Sequence, residues 1–185
     1  MEAVFTDKHF DLVARCKQGN KAAHYELYKL YSKAMYNVAF RIVNDLDEAN
    51  DVLQESFLDA FSRIKDFRQE TTFGAWMKQI VIHRSISFLR KRRAEFVDLD
   101  ETNMEHLAEE EPDEDETEYK IERIKEAMLL LPEASRIIIS LFLLEGYDHE
   151  EIGQVLGISV NSSRTQFLRA KRKLIELLKQ KGHLK

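Results

Sequence analysis

A 185-residue chain with 28 Lys and Arg against 33 Asp and Glu, a single Cys, six Gly and two Pro is no disulfide-stapled module, and it is too poor in turn formers for a strand-rich fold. Its net charge of −5 averages unlike parts: residues 94–118 hold thirteen acidic side chains and no Lys or Arg, whereas residues 1–93 carry 16 basic against 12 acidic and residues 119–185 carry 12 against 8. Two compact basic units joined by an acidic linker are therefore expected, of a charge suited to nucleic acid and of a size for which helical bundles are the economical fold.

The expected fold class is all-α, with two small helical domains at 1–93 and 119–185 and the linker at 94–118. The longest apolar run, 137–144, is too short to span a bilayer, and residues 1–10 carry charge in place of an apolar core. A cytoplasmic protein without membrane insertion is expected. Cys16 has no Cys or His at metal-ligand spacing and reads as a small buried hydrophobe.

Between residues 21 and 43, Tyr25, Leu27, Tyr28, Leu30, Tyr31, Ala34, Met35, Val38, Ala39 and Ile42 recur at three- and four-residue steps and predict a helix packed on two neighbours. Asn44-Asp45 breaks the pattern, and Asp47 is the expected cap of a second helix carrying Ala49, Val52, Leu53, Phe57, Ala60, Phe61 and Ile64. After a polar loop at 66–72, a third helix to residue 93 has Phe73, Trp76, Met77, Ile80, Val81, Ile86 and Leu89 inward. Arg84, Arg90, Lys91, Arg92 and Arg93 gather toward its end, where cations also complement the helix dipole. The linker's charge and few apolar anchors (Phe96, Val97, Leu99, Met104, Leu107) predict disorder with some docked residues.

Beyond the linker, helices are expected at 120–131, stopped by Pro132, and at 133–144, stopped by Gly146. Asp148 then caps a short helix ending at Gly157, and Ser159 caps a final helix to residue 178. Short helix, glycine turn and basic helix are the geometry that inserts a recognition helix in a major groove. Its outward residues would be Asn161, Ser162, Arg164, Thr165, Leu168 and Arg169, with Lys171 and Arg172 on phosphates. Arg can read guanine edges, and Thr or Leu methyl groups can touch thymine.

The run Glu151-Ile152-Gly153-Gln154-Val155-Leu156-Gly157-Ile158-Ser159, followed by Arg164-Thr165-Gln166-Phe167-Leu168-Arg169-Ala170-Lys171-Arg172-Lys173-Leu174, resembles the promoter-reading fourth region of bacterial sigma factors of the extracytoplasmic-function group. In the first half, Asp47-Glu48-Ala49-Asn50-Asp51-Val52-Leu53-Gln54-Glu55-Ser56-Phe57 looks like that group's core-polymerase-binding motif. Phe67-Arg68, Phe73-Gly74-Ala75-Trp76, Ile80 and Phe88-Leu89-Arg90-Lys91-Arg92-Arg93 look like its −10-element module. The likeness spans nearly the whole chain outside the linker.

The resemblance implies a non-catalytic protein that binds core RNA polymerase, brings it to promoter DNA and helps melt the −10 element, commonly under an anti-sigma factor. It implies that Asp51, Gln54, Glu55 and Phe57, with Leu58 on the adjoining turn, face polymerase. It implies that the 67–72 loop and the helix after it receive the non-template strand, with Phe67, Arg68, His83, Arg84 and Arg90 as the contacting residues. An unpaired base needs an aromatic or planar side chain to stack on and a cation nearby. Where the family commonly has Asn in its Ile-Ala-x-Asn segment, this chain has His83, which either stacks on a base or packs on the bundle. The recognition helix likewise has Asn161-Ser162-Ser163 where Gly-Thr-Val is commoner, and Gln166 where a basic residue is usual.

No glycine-rich phosphate loop or nucleophile elbow is present, and His149 beside Glu150 and Glu151 lacks a facing ligand, so neither cofactor nor metal is expected. The acidic linker would either mimic nucleic acid within polymerase or keep the two halves apart. A stand-alone helix-turn-helix regulator, with the first half as a sensor or dimerisation module, is the alternative. A polymerase-binding protein that has lost promoter recognition is a third, against which the intact basic helix speaks.

Overall fold

The computed structural model describes residues 9–95 and 116–180. The chain divides into two compact units that part between residues 95 and 96. Among the described residues the secondary structure is helical throughout, with no strand. Residues 96–115, which include the expected linker anchors, lie outside the described residues. The flanking helices reach further into the acidic segment than the composition suggested, to Glu95 on one side and back to Glu116 on the other.

In the first unit, α1 (Phe10–Lys17) buries Leu12, Val13 and Cys16. Burial is the chief cause that pushes the Cys16 thiol up from 9.0 to about 11; Glu26 adds to the rise and Arg15 opposes it. The long helix α2 (Lys21–Val43) begins where Asn20 accepts a hydrogen bond from Ala23 N at 3.1 Å. It buries Leu27, Met35, Val38, Ala39 and Ile42, while Tyr25 and Leu30 of the expected stripe are exposed.

Asn44 turns left-handed at φ 60°, so the next helix, α3 (Leu46–Ser62), starts at once. Its cap is Asp45, not Asp47. Asp45 is extended and its Oδ1 accepts from Asp47 N and Glu48 N at 2.9 and 3.0 Å, which places Asp47 inside the first turn. A 3₁₀ turn (Ile64–Asp66) leads to a loop, and Thr72 Oγ1 accepts from Ala75 N at the head of α4 (Phe73–Glu95). Helices α2, α3 and α4 pack on one another around Leu27, Ile42, Val52, Phe73, Met77 and Ile82.

The second unit opens with α5 (Glu116–Leu129) and α6 (Glu133–Ile139). What looked like one helix to residue 144 changes to a π turn at Ser140–Leu144, where Glu145 N reaches Ser140 O at 3.1 Å. The wider winding absorbs an extra residue while Ser140 and Leu141 stay buried.

Helix α7 (His149–Leu156) has a full capping box. Asp148 Oδ1 accepts from Glu150 N and Glu151 N, both at 2.8 Å, and Glu151 Oε2 accepts from Asp148 N at 2.8 Å. Gly157 ends it left-handed at φ 69°. Ser159 Oγ accepts from Ser162 N at 3.1 Å at the start of α8 (Val160–Gln180). The turn closes so tightly on α7 that a Cβ at Gly153 would stand 2.9 Å from Ile158 O. Helices α6 and α7 pack on α8 through Ile138, Ile152, Val155, Ala170 and Leu174.

Candidate nucleic-acid interface

Asp51, Gln54, Glu55 and Leu58 form an exposed acidic and amide face on α3 with one protruding apolar side chain, Leu58 being 71% exposed. Phe57 does not belong to that face. It is 3% exposed, with its ring 4.9 Å from Tyr28 and 5.6 Å from Phe61. The inward stripe of Val52, Leu53 and Ala60 fixes that direction, so Phe57 holds α3 against α2.

Phe67 likewise departs from its expected role as the base-stacking ring. It is 4% exposed, lies against Trp76 at 4.9 Å with 26° between planes, and meets Phe73 edge-on at 6.0 Å. The Lys17 ammonium is 5.7 Å from its ring centroid and donates to Phe67 O at 2.6 Å. Trp76, expected in the core, is only half-buried and lines a cleft of about 480 Å³ between α3 and α4 together with Asp59, Arg63, Gln79, His83 and Arg84. Phe67 backs the indole, and the indole faces the cleft. A cleft of this volume falls in the ~300–1,000 Å³ range of small-molecule sites.

His83 is exposed at the cleft wall and does not pack into the bundle. Arg84 is a pinned cation: Nη1 is 3.1 Å from Glu55 Oε2 and Nη2 is 3.4 Å from Asp59 Oδ2, an oxygen that also receives Arg63 Nη2 at 2.8 Å. Arg68 and Arg90 are exposed, and nearby Arg92 is paired with Glu48 at 2.7 Å. Asp59, Arg63, Trp76 and Gln79 line the cleft without having been expected there. The signal was available, because Trp76, Gln79, Ile80, His83 and Ser87 recur at three- and four-residue steps along one flank of α4.

In α8, Ser163, Ala170, Leu174 and Leu178 face inward. Asn161, Thr165, Leu168 and Arg172 follow one another on the opposite side, flanked by Ser162, Arg164, Arg169 and Lys171, and all eight are exposed. Thr165 Oγ1 donates to Asn161 O at 2.9 Å, which leaves its methyl group and an oxygen lone pair for a ligand. Among the described residues no ion pair engages a cation of α8.

Residues 27–95 match the family profile for Sigma-70 region 2, and residues 121–174 match that for Sigma-70, region 4. The RNA polymerase sigma factor SigV of Bacillus subtilis is 32% identical over 154 residues, covering 83% of this chain and 90% of SigV. The ECF RNA polymerase sigma-E factor of Haemophilus influenzae is 31% identical over 175 residues, with 89% and 92% covered. The chain belongs to the extracytoplasmic-function group of sigma-70 family sigma factors. Solved sigma factors share its fold: RpoE of Bartonella quintana, in complex with the anti-sigma factor NepR, superposes with a TM-score of 0.60 at 24% identity over 84% of this chain and 96% of RpoE. CnrH, in complex with the cytosolic domain of CnrY, does so at 0.55 and 25%, over 92% and 96%. As a sigma factor the chain acts in promoter-directed transcription initiation, and its two basic units are regions 2 and 4 in family order. No helix of the described residues is long and apolar enough to cross a membrane.

Proposed function

We propose that this sigma factor divides its work between residues 1–93 and 119–185. Asp51, Gln54, Glu55 and Leu58 of α3 dock core RNA polymerase, the α3–α4 cleft holds an unpaired base of the −10 element, and α8 reads the −35 duplex from the major groove. Acceptors beside one apolar side chain suit a basic helical partner. In the cleft, the Trp76 indole offers a stacking plane, His83 and Gln79 offer hydrogen bonds, and the guanidinium groups of Arg63 and Arg84 attract the adjoining phosphates. The exposed cations Arg68 and Arg90 extend that attraction along the strand. An anti-sigma factor completes the partners, with the exposed Tyr25 as an apolar anchor on α2 and Leu58, shared with the polymerase face, as one on α3. The protein has no chemistry of its own; it assists an enzyme.

The observation that carries this reading is the cleft together with the match of its unit to Sigma-70 region 2. The sensor half of a stand-alone regulator would also carry a concave site, but it would not match Sigma-70 region 2 over residues 27–95. Pull-down with core polymerase followed by run-off transcription tests it. The expected result is promoter-specific initiation that requires both the polymerase and this chain. Tight promoter binding without polymerase, and no initiation with it, would establish the regulator instead.

A further inference from the structure

His149 is the first residue of α7, directly after its cap Asp148. Its imidazole stacks on Phe142 at 4.8 Å and 27° and meets Phe167 edge-on at 5.6 Å, while those two rings lie 4.4 Å apart. Held by two rings from two elements, the imidazole brings Nδ1 to 3.0 Å from the hydroxyl oxygen of Ser163. Ser163 is fully buried in the first turns of α8, on its inward side with Ala170 and Leu174. Its neighbours in sequence, Ser162 and Arg164, stand exposed on the reading side. Apolar contacts alone let a helix rotate or slide slightly, whereas a hydrogen bond to a buried hydroxyl fixes one rotation and one depth. Recognition needs that fixity, since reading side chains must be held within about 0.5 Å and 10–20° of their productive geometry.

We propose that His149 is a positioning residue for promoter reading. Through Ser163 it sets the rotation of α8 and hence the approach of Asn161, Ser162 and Arg164 to the base edges. This inference rests on α8 being the −35 reader. It explains why the hydroxyl of Ser163, at a position where the family commonly has Val, is tolerated in a buried place: its partner arrives from the other helix of the motif.

The test uses the full chain with core polymerase, on a promoter library randomised at −35. The variants are His149→Phe, Ser163→Ala and the two combined. Each single change is expected to lower the discrimination between preferred and singly mismatched −35 sequences about threefold or more. The double should be no worse than the poorer single, because both remove one interaction. It should melt close to the wild type, because replacing both partners by apolar groups leaves no unsatisfied atom. A flattened −35 profile in a double variant with wild-type melting and wild-type polymerase binding supports the inference. A wild-type profile in that double, or losses that add, overturns it. If the wild-type holoenzyme itself shows no preference at −35, the reading of α8 fails first and takes this inference with it.

Discussion

Arg84 and Arg164 are both expected to meet nucleic acid, yet they wait for it differently. Arg84, on the wall of a cleft, is gripped by Glu55 and Asp59 of the facing helix. Arg164 stands exposed on a convex helix, and among the described residues no ion pair engages it. The difference follows from shape. A helix read in a groove presents its side chains to water until the duplex replaces it, so each cation remains solvated. A cleft wall instead faces a second helix, whose carboxylates come within reach of its cations while all of them stay partly exposed. On the proposed reading, the second unit holds its reading face ready, while Arg84 of the first stays paired until a strand arrives.

The largest effect should come from the α3 face proposed to dock polymerase. Gln54→Ala combined with Glu55→Lys is expected to abolish holoenzyme assembly. Melting should change little, because exposed substitutions usually cost within about 0.5 kcal/mol and the Glu55–Arg84 pair is a surface bridge. Assembly at wild-type affinity in a pull-down would remove this face from the docking surface.

Within the cleft, Trp76→Ala should weaken promoter melting, by about 1–3 kcal/mol if the indole stacks one base, and leave −35 affinity untouched. The readout is open-complex formation on a duplex promoter and on a premelted one. A defect equal on both templates and at −35 would mean that Trp76 only supports the bundle. His83→Asn, at the same wall, should change base preference at one −10 position and leave polymerase binding intact; an unchanged −10 profile would take His83 off the strand.

On the convex side, Arg164→Ala should cost about 1–3 kcal/mol and relax preference at one −35 position. Lys171→Ala should weaken all sequences alike and flatten the salt dependence. Equal effects on every promoter would make Arg164 a phosphate contact and erase the contrast with Arg84.

The two units also differ in how far their residues could be read in advance. In the second, Asp148, Gly157 and Ser159 punctuate the helices where local chemistry dictates, and an exposed face follows from period alone. The π turn at Ser140–Leu144 was hidden, because absorbing one residue is decided by packing and not by the local pattern. In the first, the inward stripe already directed Phe57 to the core, against the docking role carried over with its motif. Phe67 was not legible: it leads into a loop, where no periodicity governs direction, and only the fold brings it behind Trp76. Asp59, Arg63 and Arg84 meet because two helices face each other, and that juxtaposition is tertiary.

Cys16 gives the smallest and most selective probe of the comparison, because it is the chain's single cysteine and lies in the core of the first unit. A thiol reagent at neutral pH should leave it unmodified in the native protein and label it only when that unit opens, whatever the second unit does. A −10 single strand should therefore slow labelling, and a −35 duplex should not. The pH dependence has a fixed sign. The folded-state value is raised from 9.0 to about 11, chiefly by burial, so the native state keeps its proton longer than the unfolded chain. The stability this contributes is fully present below pH 9 and is lost as pH rises toward 11. Cys16→Ala should lessen the alkaline decline in the melting of the first unit, where Tyr36, also raised chiefly by burial, keeps the remainder. Rapid labelling of the native protein at pH 7 would show that this core is open on the timescale of the reagent, and an alkaline slope unchanged in Cys16→Ala would show that the fold does not hold the thiol's proton.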